Sequence, residues 1–117
     1  MSFNITGGGI LSKATKLTAT TPTDILDAPG RTTVLSIICT EIAAATPALT
    51  LALFDGTTTY YLRNALAMTA RQTFIFNEPL VLNAGWKLRA TAGAANQIDV
   101  LVNYLNADKT SQGAGVR

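Results

Sequence analysis

Between Pro79 and Leu105 the chain reads PLVLNAGWKLRATAGAANQIDVLVNYL, three short runs separated by glycine-bearing or polar turns. Trp86, Leu88 and Ala90 alternate with Lys87, Arg89 and Thr91, and Ile98, Val100, Val102 and Tyr104 alternate with Asp99, Leu101 and Asn103. A period of two is the mark of strands that bury one face. Three consecutive strands of this kind cannot cover that face alone, so the upstream chain must supply a second layer. Leu101 is apolar on the outward side and hints at a second covered face.

Upstream, residues 48–62 form the clearest hairpin. Leu49, Leu51 and Leu53 alternate with Thr50 and Ala52, Asp55-Gly56 supplies a tight turn, and TTTYYL returns the chain. The run Thr32 to Ile42, TTVLSIICTEI, is dense in β-branched residues and apolar on both sides, which expects a central strand or one at an oligomer contact. Leu11 to Ala19 reads as a half-exposed strand offering Leu11 and Leu17 to the core. Thr20 to Pro29 reads as a short strand around Ile25-Leu26. Arg71 to Asn77 reads as a strand with Phe74 and Phe76 inward, while Arg63 to Ala70 is expected to be a loop because it has mild helical propensity and no length. With turn signals every 8 to 12 residues and no persuasive helix, the chain is predicted to be all-β, an antiparallel sandwich of about eight strands, jelly-roll-like. Residues 11–106 form that domain. Residues 1–10, with Gly7-Gly8-Gly9, read as a flexible arm and residues 107–117 as a flexible tail.

Chemistry is sparse. The chain has no histidine and one cysteine, so an intrachain disulfide, a His-based zinc site and Ser-His-Asp or Cys-His catalysis are excluded. Cys39 sits in VLSIICTEI, where a small buried hydrophobe outweighs a nucleophile. Asp24, Asp27 and Asp55 lie beside turn-forming residues and are expected to hydrogen-bond backbone amides there, rather than to form a glycosidase pair or calcium site with Asp99 or Asp108. Gly7-Gly8-Gly9 lacks the lysine and helix of a phosphate loop. No catalytic, cofactor-binding or metal residue is assigned, and no cofactor is expected. Nine basic and seven acidic residues are scattered singly, which disfavours nucleic acid as a partner. No run approaches the ~20 apolar residues of a membrane span, and MSFNITGGGI lacks the basic and apolar regions of a secretory signal. The expectation is a soluble protein, made in a cytoplasm. Charged residues are only 14% of the chain against the roughly 25% usual in soluble domains. Part of the surface is therefore expected to be covered by neighbours.

Three stretches together resemble a known group. Ile25 to Gly30 is an Ile-x-Asp-Ala-Pro-Gly turn leading into a β-branched strand. Pro79 to Ala90 has the form Pro-Leu-x-Leu-x-x-Gly-x-x-Leu-x-Ala, and Asp99 to Leu105 ends the domain as Asp-Val-x-Val-x-Tyr-Leu. This layout, over about residues 17–106, resembles the small β-sandwich virion proteins of tailed bacteriophages, found as capsid decoration (cement) proteins, head or neck fibre bases and tail accessory proteins. Trp86 departs from the group, which often carries an acidic residue after the turn glycine, so it is expected either to face a partner or to pack under the Asn83 to Gly85 turn.

The resemblance implies a structural, non-enzymatic role in the virion, with synthesis in the host bacterial cytoplasm, a symmetric homo-oligomer, preferentially a trimer, and the major capsid protein or other virion proteins as partners. The candidate partner interface comprises Phe3, Ile5 and Ile10 of the arm together with Trp86, Lys87, Arg89 and Leu101. Lys87 and Arg89 share one strand face, where a solvated surface competes with an acidic partner. Two alternatives stay open: a neck or tail accessory protein, and a carbohydrate-binding module presenting Trp86, Tyr60 and Tyr61 on one face.

Overall fold

The computed structural model describes residues 9–106. The tail over residues 107–117, and all but the last two residues of the arm, lie outside the described residues. Nine strands follow one another: β1 (Leu11–Lys16), β2 (Thr23–Asp27), β3 (Thr32–Glu41), β4 (Ala48–Phe54), β5 (Thr59–Ala67), β6 (Thr73–Phe76), β7 (Leu80–Leu82), β8 (Lys87–Ala92) and β9 (Ile98–Asn106). They form two antiparallel sheets, one in the order β1-β9-β3-β6 with β7 also paired to β3, the other in the order β2-β8-β4-β5. If β6 and β7 are taken as two halves of one strand, β1 lies beside the last strand, β2 beside the one before it, β3 beside β6–β7, and β4 beside β5. That nesting of strands across two sheets is a jelly roll. The three strands expected over residues 79–105 are β7, β8 and β9.

Strand β3 is central, as its two-sided apolar pattern predicts: β9 pairs along one side and β6 and β7 share the other. Its inward residues Val34, Ile37 and Cys39 meet Val100 and Val102 of β9 and, from the other sheet, Leu49, Leu51, Leu88 and Ala90 in one core. Cys39 is fully buried, and desolvation pushes its thiol up to about 12, so it behaves as the hydrophobe expected from sequence. Phe76 is buried and Phe74 packs against the core, which uses the aromatic pair for packing.

Three local expectations need correction. Leu17 is fully buried but Leu11 is 42% exposed, because β1 is an edge strand with a neighbour only on its β9 side. Residues 63–67, expected as loop, continue β5. The pairing survives there by bulging: Thr50 lies between Leu49↔Leu66 and Leu51↔Arg63, Ala65 takes a φ of 55°, and the Ala65 N–H donates to Thr50 Oγ1 at 3.0 Å. The 48–62 hairpin is present, but its turn is longer than a two-residue one. The Asp55 N–H donates to the Thr58 carbonyl at 3.2 Å, and the Asp55 carboxylate accepts from the N–H groups of Thr57 (2.9 Å) and Thr58 (2.7 Å), with Gly56 at φ +102°.

Candidate functional site

The outward face of the β2-β8-β4-β5 sheet carries its charge in a cross-strand cluster. Residues three apart in a regular strand point to opposite faces, yet Asp24 and Asp27 both point outward, because the register shifts between Asp24 and Leu26. The same bulge sends Ile25 and Leu26 together into the core. Asp24 is opposite Arg89 and Asp27 opposite Lys87. Arg89 Nε donates to Asp24 Oδ1 at 2.7 Å, and Lys87 Nζ lies 2.9 Å from Asp27 Oδ1 and 3.5 Å from Asp24 Oδ2. Arg89 also stacks over Phe54, its guanidinium carbon 4.0 Å from the ring centre. Burial alone would raise the Asp24 carboxyl, but hydrogen bonding and charge from Arg89, with Lys87 adding, outweigh it and hold the carboxyl below its ordinary value. The bond to Asp27 raises Lys87. Asp24 and Asp27 are therefore consumed by ion pairs, and only Asp55 takes the turn role expected of all three. Lys87 and Arg89 already have their acidic partners within the chain.

Trp86 immediately precedes β8. Its N–H donates to the Asn83 carbonyl and its carbonyl accepts from Ala28, both at 3.0 Å, while the side chain packs against the core beside the turn. Its side chain is partly buried against the core and partly open to the surface beside Asp27, Ala28 and Pro29. Tyr60 and Tyr61 are 51% and 61% exposed but are consecutive residues of β5 opposite Leu53 and Ala52, so they point to opposite sides. The aromatic row that a carbohydrate-binding module would need is not assembled.

Leu101 lies on the other side of the sandwich, on the outward face of the β1-β9-β3-β6 sheet. The strand register places Ala14, Leu101, Ile38 and Ile75 in one row across four strands, and Leu105, Thr33 and Val81 in another. Among the described strand residues its charges are Lys16 and Asp99, which pair with each other at 2.6 Å. Ile10 is exposed just before β1, and Phe3 and Ile5 lie outside the described residues. The residues expected to form one interface are thus divided between two opposite faces.

The residue that sequence reasoning passed over is Glu41. It is buried at the end of β3, with Oε2 accepting from the N–H groups of Ala43 (3.0 Å) and Ala45 (3.1 Å) and Oε1 from Arg71 (2.8 Å). Burial pushes the carboxyl up, but donation from Arg71, Ala45 and Ala43 prevails and holds it below its ordinary value. One carboxylate thereby ties the β3–β4 loop to the β5–β6 turn. A lone acidic residue ending a β-branched run was the available signal.

No family model matches the chain, and no curated protein matches it. Solved structures do. Two crystal structures of a pentameric capsid protein isolated from metagenomic phage sequences align over 90% of this chain with a TM-score of 0.51 and 20% identity. This chain spans 65% and 63% of the length of those two. A chain of the cyanophage Pam1 capsid asymmetric unit aligns over 90% of both chains with a TM-score of 0.52 and 17% identity. The protein is a small β-sandwich whose structural neighbours are phage capsid proteins, and at these identities the likeness is one of fold.

Proposed function

We propose that this chain is a non-enzymatic structural protein of a bacteriophage virion, a capsid decoration (cement) protein that stabilises the head by bridging shell subunits. The observation that carries the reading is the alignment with a Pam1 capsid chain over 90% of each, which makes the two chains comparable in length as well as fold. A single jelly roll of this size suits an addition to a shell. The sequence resemblance at Ile25 to Gly30, Pro79 to Ala90 and Asp99 to Leu105 points the same way.

The chemistry of the domain supports a role based on contact. Glu41 holds backbone, Asp55 caps a turn, and Asp24, Asp27 and Asp99 are held in ion pairs. Bridging needs only covered area, at about 25 cal/mol per Å² of apolar surface. Repeated over a symmetric shell, weak contacts suffice. The protein is proposed to act as a homo-oligomer, with the trimer expected above and a pentamer, the state named for the metagenomic-phage protein, as the two candidate states. Residues 1–10 are proposed to help anchor it, and the virion, assembled in the bacterial cytoplasm, is its proposed location.

Particles assembled without this chain are expected to lose infectivity or burst at lower temperature, or under milder osmotic shock, than particles that carry it, and adding the purified protein back should restore resistance. Equal resistance of the two preparations would refute the cement role.

A further inference from the structure

The two outward faces of the sandwich differ sharply in charge. The β2-β8-β4-β5 face displays Asp24, Asp27, Lys87 and Arg89 as a solvated network. Among the described strand residues, the opposite face carries only the Lys16–Asp99 pair, at one end. Beyond that pair come the row Ala14-Leu101-Ile38-Ile75, an uncharged polar row Ser12-Asn103-Ser36 whose side chains hydrogen-bond to one another, and the row Leu105-Thr33-Val81, with Ile75 and Val81 54% and 53% exposed. A shallow trough of about 410 Å³ lies over Ala14, Ile38 and Leu101 and ends on Thr40 and the Lys16–Asp99 pair. A face that is poor in charge and carries two exposed apolar rows marks an interface.

We propose that this face packs against the same face of a second copy of the chain. An occupant must be uncharged where it lands on the Leu101 and Val81 rows, since no charge in those rows would compensate a buried one. The charged face of a neighbour fails that test, and the identical face meets it. The size also fits. Four strands at ~4.8 Å and the nine residues of β9 at ~3.3 Å each make a face of roughly 19 by 30 Å. Two such faces bury on the order of 1,100 Å², above the roughly 1,000 Å² that specific interfaces need. Sheets meeting face to face is the packing the domain already uses inside itself. A contact of this type is two-fold, so it joins copies in pairs and doubles any ring. The proposal rests on the homo-oligomer part of the reading above and does not depend on the shell.

The test is light scattering coupled to chromatography on the purified protein at ~100 µM. The wild type is expected to contain an even number of copies. Ile75→Lys and Leu101→Lys should each halve that mass or reduce it to monomer, with circular dichroism unchanged, while Thr59→Lys, exposed on the other sheet, should leave the mass as it is. A monomeric wild type would overturn both the oligomer and this face. An oligomeric wild type whose mass survives both folded lysine variants would overturn the face alone. Should Leu101→Lys fail to fold, Ile75→Lys, at a half-exposed position, still decides.

Discussion

Leu88→Ala is expected to destabilise the domain by about 2–5 kcal/mol, enough to bring a typical small protein close to unfolding. Leu88 is fully buried at the centre of β8, between β2 and β4, opposite Leu26 on one side and Leu53 on the other. Truncation removes three carbons from water-free packing and leaves a cavity that the strand paired on each side cannot collapse into without breaking its ladder. The corresponding truncation of Leu101, on the outward face of β9, should cost much less in folding, because its side chain does not belong to the core. Chemical denaturation of both variants measures the contrast: a midpoint fall of similar size for the two would mean that Leu101 is part of the folding core and that the assignment of faces is wrong.

Glu41→Gln is expected to lower Tm by roughly 10 °C or more at neutral pH. The carboxylate accepts three backbone N–H groups from two different loops. An amide keeps one accepting oxygen and turns an NH₂ donor toward an N–H, so at least one buried donor loses its partner. The pH dependence follows from the direction of the shift. The folded carboxyl titrates below its ordinary value of 4.5, so the unfolded state takes up the proton first as pH falls. The stabilisation is fully present above about pH 4.5 and is lost as pH drops through the lower folded value. The gap in Tm between wild type and Glu41→Gln should therefore be widest near neutrality and shrink below pH 4.5. A gap that stays constant down to pH 3 would show that the ionised carboxylate is not what holds the two loops.

What could be read from the sequence was the part governed by alternation. In β4, β8 and β9 every second residue is apolar, and the structure turns those residues to the core, with Leu53 and Tyr104 partly buried. In β3 the apolar run on both sides correctly implied a central strand. The end of β5 was hidden for a physical reason. RNALAMTA has no β-branched residue until Thr69, and its pairing depends on bulges and on the hydroxyl of Thr50, which are long-range features with no local signature. Met68 is nonetheless buried, its N–H donating to the Pro47 carbonyl at 3.0 Å.

The Asp24–Asp27 spacing misled in a similar way. Both aspartates were expected to cap turns, because in a regular strand residues three apart face opposite sides and only the bulge at Ile25 aligns both with Arg89 and Lys87. The candidate interface was legible in Leu101, whose apolar side chain broke the pattern. Its neighbours Ala14, Ile38 and Ile75 come from three other strands and could not be joined to it before the register was known.

The location of the chain in an imaged virion tests the account most directly. Electron cryo-microscopy of particles carrying the protein should show a nine-stranded jelly roll on the outside of the head, repeated at symmetric positions and touching more than one shell subunit. Density for the chain only at the neck or tail, or none in the particle, would contradict the assignment to the capsid surface.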